Sequence, residues 1–286
     1  MKLEIISRFP SGGARSTPLL FIHGALHAAW CWEFHFLDYF AQHGFAAHAV
    51  NLRGHGNSEG HERLRWTRIA DYVEDLENAA GQLPSSPILI GHSMGSFIIQ
   101  KYLEAHSAPG AVLLTPPPPT GLGAATLRIA RRHPLAFARI NLTLSLFPLV
   151  ATPALAREAF FSDDLPEEQL LEYWERMQDD AFLGFLDMLV FDLPRPPKAG
   201  TPLLVLGAAR DNMLTPSEIH ATARACNAQV EFIADVAHNM MLESRWHTAA
   251  ERVLVWLTEL EAQATSSLRA TRGTSHRGTS HRTATA

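Results

Sequence analysis

The sequence predicts an α/β fold, a doubly wound and mostly parallel sheet interrupted by one helical insertion. Three observations carry that expectation. Short apolar runs alternate with stretches of helical periodicity over residues 3–115, and the alternation resumes over residues 202–261. One run, residues 87–90, leads directly into Gly91-His92-Ser93-Met94-Gly95 and then into residues that are apolar almost all round. That is the pattern of a buried strand, a sharp turn and a buried helix. Residues 116–197 lack the alternation and hold proline-rich breaks between helical patches.

Each element has its own signal. Residues 3–8 read as an edge strand ended by Pro10-Ser11-Gly12-Gly13, and residues 18–22 as a buried strand running into His23-Gly24-Ala25-Leu26. Residues 30–43 carry Trp32, Phe36, Leu37 and Phe40 at helical spacing and stop at Gly44. A strand over 45–52 is followed by the tight loop Arg53-Gly54-His55-Gly56-Asn57-Ser58. A helix then presents Ile69, Val73, Leu76 and Ala80 on one face. The strand at 111–115 ends in four consecutive prolines. After the insertion come a strand at 202–207 and a helix at 215–227 that opens with Thr215-Pro216-Ser217-Glu218. A strand at 229–233 and a helix at 244–261, with Trp246, Val253, Trp256 and Leu257 as packing residues, complete the body. The expected organisation is a core of residues 1–115 and 198–265, a helical lid of residues 116–197, and a disordered basic tail of residues 266–286. The tail repeats Arg-Gly-Thr-Ser-His at 272–276 and 277–281 and holds no large apolar anchor after Leu268.

A chain of 286 residues, 47% of them hydrophobic, can bury a sizeable core. Its formal net charge is −5, and the tail from residue 266 holds four arginines and no acid, which leaves the body at −9. Such a body is a poor partner for nucleic acid. Cys31 and Cys226 are the only cysteines, so neither a disulfide framework nor a cysteine metal cluster is expected. The first residues lack the apolar core of a signal peptide, and no run reaches the ~18 apolar residues of a membrane span. A soluble cytoplasmic protein without stable membrane insertion is expected.

The turn at Ser93 carries the chemistry. A strand-to-helix turn this tight needs small neighbours, supplied by Gly91 and Gly95, and lifts the Ser93 hydroxyl above the sheet beside the Met94 N–H. A serine hydroxyl attacks only when a base takes its proton, and the base needs an orienting carboxylate. In a doubly wound sheet these groups sit at the carboxyl ends of strands. The strand ending at Gly207 is followed by Asp211, and the one ending near Ile233 by His238. Asp211 and His238 are therefore the expected acid and base, with Asp235 the rival acid. The oxyanion donors are expected to be the backbone N–H groups of Met94 and Ala25, with Leu26 second to Ala25. His55 and His92 read first as packing or loop-bracing residues.

The set His23-Gly24, Arg53-Gly54-His55-Gly56-x-Ser58, Gly91-His92-Ser93-Met94-Gly95, Asp211 and His238 resembles the α/β-hydrolase superfamily. It is most similar to the branch of serine esterases, monoacylglycerol lipases and lysophospholipases. Residues 23–32 are also similar to plant methylesterases and hydroxynitrile lyases. The resemblance covers about residues 19–260. It implies a helical lid over the site, no cofactor, and hydrolysis of a small-molecule or lipid-like ester. It also implies a two-strand start, for which the segment before residue 18 is short. The insertion is rich in large apolar side chains, so Phe147, Phe185 and Leu186 are expected to bind substrate together with Leu26 and His92, in a pocket suited to medium or long acyl chains. The same fold and triad also serve non-catalytic ligand-binding proteins and C–C hydrolases or lyases, and the sequence leaves these readings open.

Overall fold

The computed structural model describes residues 1–198 and 200–275. Seven strands form one sheet in the order β1-β3-β2-β4-β5-β6-β7. The strands are β1 (Ile5–Arg8), β2 (Leu19–Ile22), β3 (Ala47–Val50), β4 (Ile88–His92), β5 (Ala111–Leu114), β6 (Leu203–Ala208) and β7 (Gln229–Ile233). Only β1 is antiparallel, pairing Ile5 with Val50. All other neighbours run parallel. The single strand before β2 accounts for the short N-terminal segment.

Central strands β2, β4, β5 and β6 are buried along their whole length. This explains why they read as unbroken apolar runs rather than alternating ones, since helices cover both faces of a parallel sheet. Successive residues still face opposite ways. Leu19 and Phe21 join one core with Trp32, Phe36, Phe40, Val253 and Trp256. Leu20 and Ile22 join the other with Ile69, Tyr72, Phe97, Ile98 and Ile219.

The helices of the body are α1 (Trp30–Glu33), α2 (Phe36–Gln42), α3 (Ile69–Gly81), α4 (Met94–Tyr102), α10 (Pro216–Ala225) and α11 (Trp246–Ser275). Two of these differ from expectation. The helix expected over 30–43 is broken at His35, which leaves helical geometry (φ −143°) and stacks its ring on Trp246 at 4.5 Å. The last helix passes Glu261 and continues to Ser275, for no proline interrupts the sequence. The rest of the tail, residues 276–286, lies outside the described residues.

Between β5 and β6 lie α5 (Gly123–Arg132), α6 (Pro134–Thr143), a 3₁₀ turn (Phe147–Val150), α7 (Pro153–Phe160), α8 (Glu167–Glu175) and α9 (Phe182–Leu186), which runs into a π-helical turn (Asp187–Phe191). The segment contains no strand among the described residues. Asp187, buried at its C-terminal end, binds the Arg68 side chain and accepts from the Ile69 N–H at 3.1 Å, tying the insertion to the start of α3.

Candidate active site

The turn between β4 and α4 has the geometry its glycines require. Ser93 sits at φ 49°, ψ −114°, a strained conformation for a residue with a side chain. A Cβ on Gly95 would stand 2.2 Å from the Ile22 carbonyl oxygen, and one on Gly91 would stand 2.6 Å from the Gly95 backbone. Larger residues at either place would push the turn open.

Two other strand ends bring partners to the Ser93 hydroxyl. His238, in the loop after β7, places Nε2 3.0 Å from Ser93 Oγ. Its Nδ1 lies 2.8 Å from Asp211 Oδ2, in the loop after β6. The Asp211 side chain is 1% exposed and that of His238 3%. The other carboxylate oxygen of Asp211 accepts the N–H groups of Met213 (2.7 Å) and Leu214 (2.9 Å), so the side chain cannot rotate freely. An ionised Asp211 assigns the histidine proton to Nδ1 and leaves Nε2 to take the serine proton. Asp235 stands apart. It has φ 56° and pairs with Arg210 and Arg245 at the surface.

The His238 backbone is braced as well. His92 Nε2 donates to its carbonyl at 3.0 Å, and the Thr115 hydroxyl lies 3.4 Å from the same oxygen. His92 is buried, and burial first, then the neighbouring His238 and His27, keep its pKa well below the usual histidine value. A neutral His92 with its proton on Nε2 fits that bond, and its ring also borders the cavity.

The loop after β2 presents Ala25. Among the described residues, neither the Ala25 N–H nor the Met94 N–H meets an acceptor within the protein, whereas the Leu26 N–H donates to Asp180 Oδ2 at 2.8 Å. Leu26 is therefore spent as a donor. The peptide plane that carries the Ala25 N–H is held at its other end by His23, whose Nδ1 donates to the Gly24 carbonyl at 2.9 Å while Nε2 accepts from the Leu52 N–H at 3.2 Å. His27 Nδ1 donates to the Ala25 carbonyl at 2.8 Å, and its Nε2 accepts from Asn239. Burial above all pushes His23 down to about 3 and His27 down to about 4, and both bonding patterns need a neutral ring.

A cleft of about 890 Å³, counting the part open to solvent, spreads from Ser93 and His238 under the insertion. Its wall includes Leu26, Ile129, Phe137, Ile140, Leu146, Leu149, Phe160, Phe185 and Met188. Of the insertion residues expected there, Phe185 lines the cleft, but Phe147 and Leu186 do not. Both are partly buried and pack against the core. The reason is periodicity. The 3₁₀ turn brings Leu146 and Leu149, three apart, to the cleft and turns Phe147 away. Phe185 and Met188 share a face on which Leu186 has no place.

Asp180 and Gln178 are the site residues that the sequence did not reveal. The Gln178 N–H donates to the Leu26 carbonyl at 3.2 Å, and its side chain bridges Gly54 and Gly56. Both residues lie in the insertion, with no motif around them.

Residues 19–252 match the profile of the alpha/beta hydrolase family, and the chain belongs to that family. Its solved structural neighbours include a putative non-heme bromoperoxidase from Mycobacterium tuberculosis H37Rv (TM-score 0.74, 19% identity, 91% of this chain and 97% of that one). Others are a thermophilic esterase from Thermogutta terrifontis (0.69, 18%, 90% and 93%) and a monoacylglycerol lipase from Paleococcus ferrophilus (0.66, 17%, 91% and 100%). At these identities the likeness is one of fold. No curated protein matches the sequence.

Proposed function

We propose that the protein is a serine hydrolase of carboxylic esters, acting on apolar medium or long acyl chains. One observation carries the reading: the hydrogen-bonded line Ser93–His238–Asp211 opens into an apolar cleft beside two unpartnered backbone N–H groups. Ser93 Oγ attacks the ester carbonyl while His238 Nε2 takes its proton, and Asp211 stabilises the resulting imidazolium. The carbonyl oxygen becomes an oxyanion facing the Ala25 and Met94 N–H groups. His238 then gives the proton to the departing alcohol, leaving Ser93 acylated. Water, deprotonated by His238, attacks the acyl carbon, and the acid leaves as Ser93 recovers its proton. The insertion serves as a lid over this site. The esterase and the monoacylglycerol lipase among the structural neighbours support a hydrolase. Hydrolysis of p-nitrophenyl esters by the wild type and by Ser93→Ala tests the reading. Turnover is expected only in the wild type, and equal rates would refute it.

A further inference from the structure

Asp180 joins the insertion to the loop that carries Ala25. It lies between α8 and α9, is 1% exposed, and takes four donors on its two oxygens. Oδ2 accepts the Leu26 N–H at 2.8 Å and His55 Nε2 at 3.2 Å. Oδ1 accepts the Tyr72 hydroxyl at 3.1 Å and the Ala181 N–H at 2.6 Å. His55 turns its other nitrogen, Nδ1, to the Arg53 carbonyl at 3.0 Å. Both ring nitrogens therefore face oxygens that only accept, and the ring satisfies both only as an imidazolium. Burial alone would lower the His55 pKa, but the charge and hydrogen bond of Asp180 outweigh it and leave it raised. The same pairing and the backbone donors hold the Asp180 carboxyl below its ordinary value against the effect of burial.

This charged pair sits directly behind the loop. Leu26 has φ 66°, a left-handed conformation that persists only where the surroundings fix it. Its N–H is one peptide along from that of Ala25, which lines the cleft together with Ser93, so the Asp180 bond fixes the neighbouring peptide plane. Asp187 makes the contrast. It is another buried aspartate of the insertion, but it holds Arg68 and the Ile69 N–H and does not touch the loop.

We infer that Asp180, paired with the His55 imidazolium, is a positioning residue for the Ala25 N–H, so that the insertion completes the oxyanion site as well as covering it. The inference rests on the ester-hydrolase reading above. An asparagine at 180 has one acceptor oxygen for four donors and must turn its amide towards an N–H. Outright removal of an oxyanion donor costs about 10²–10³ in rate, so the misaimed donor of Asp180→Asn should lower kcat by about 10–100-fold with KM within about threefold of wild type. Affinity for an acyl trifluoromethyl ketone, whose hemiketal with Ser93 bears the oxyanion, should fall by the same factor as kcat/KM. Asp187→Asn should lower Tm while leaving kcat and inhibitor affinity together at wild-type values. His55→Gln keeps a donor near Asp180 but not the charge, and should lower kcat by about 3–10-fold with the same signature. Should Asp180→Asn not fold, His55→Gln decides. Unchanged kcat in either soluble variant, or equal loss in Asp180→Asn and Asp187→Asn, overturns the inference. Failure of the wild type to bind the ketone would instead refute the ester-hydrolase reading, whereas equally tight binding by wild type and Asp180→Asn would overturn only the role of Asp180.

Discussion

Replacing Asp211 by asparagine exchanges one oxygen for an amide group and leaves the shape of the side chain alone. The surroundings fix how that amide must lie. Oδ1 accepts the Met213 and Leu214 N–H groups at 2.7 and 2.9 Å, so the asparagine oxygen stays there and its NH₂ faces His238 Nδ1. A donor opposite Nδ1 forces the ring proton onto Nε2, where it points at Ser93 instead of receiving from it. The fold keeps both backbone bonds, so the stability change should be only about 1 kcal/mol. The wrong tautomer, by contrast, should reduce kcat about 10⁴-fold, or about 5.5 kcal/mol of transition-state stabilisation. Steady-state hydrolysis of a p-nitrophenyl ester gives the rate, thermal unfolding the stability, and ¹⁵N NMR of the ring the tautomer. Asp235→Asn, at the surface with Arg210 and Arg245, should leave kcat within about twofold, as exposed ion pairs contribute little. A loss below tenfold in Asp211→Asn, or a proton that remains on Nδ1, would refute this reasoning.

The cleft and the buried histidines give two further predictions. Each methylene buried against Ile129, Phe137, Ile140 and Leu146 gains up to ~0.8 kcal/mol, so kcat/KM should rise steeply from acetate through butyrate to octanoate esters, and a maximum at acetate would contradict the assignment of the cleft. His27 is held neutral in the fold, with its pKa down to about 4, but titrates near 6.5 once unfolded. The unfolded state thus binds the extra proton first, so this contribution to stability is intact above pH 6.5 and falls as pH drops towards 4, by about 3 kcal/mol in all. Denaturant unfolding at pH 7, 6, 5 and 4 should show His27→Gln losing that much less than wild type over the range, and parallel curves would rule it out.

Much of this architecture was legible because the physics is local. The four central strands announced themselves as apolar runs, and the helix at 216 by Thr215 and Glu218, which form the reciprocal cap seen in the structure. The elbow at Ser93 could be read because only glycine fits at 91 and 95. Asp211 and His238 followed from their place after strands. What was hidden depends on contacts distant in sequence. Asp180 meets Leu26, His55 and Tyr72 across separations of more than 100 residues, and a lone aspartate between two helices reads as a surface residue. His35, at the break in the helix, stacks on the distant Trp246. Hydrophobicity alone does not say which side of a short helical turn Phe147 or Leu186 takes.

The proposed reaction turns on Ser93 Oγ as the attacking atom. Intact-protein mass spectrometry after treatment with a long-chain alkyl fluorophosphonate, followed by peptide mapping, tests it directly. Fluorophosphonates label serines whose proton a neighbouring base removes, and here His238 Nε2 lies 3.0 Å from the hydroxyl. A single adduct should form on Ser93, with loss of esterase activity in proportion to labelling, and Ser93→Ala and His238→Ala should remain unlabelled. An adduct at another residue, or full ester turnover by a protein whose Ser93 is labelled, would contradict it.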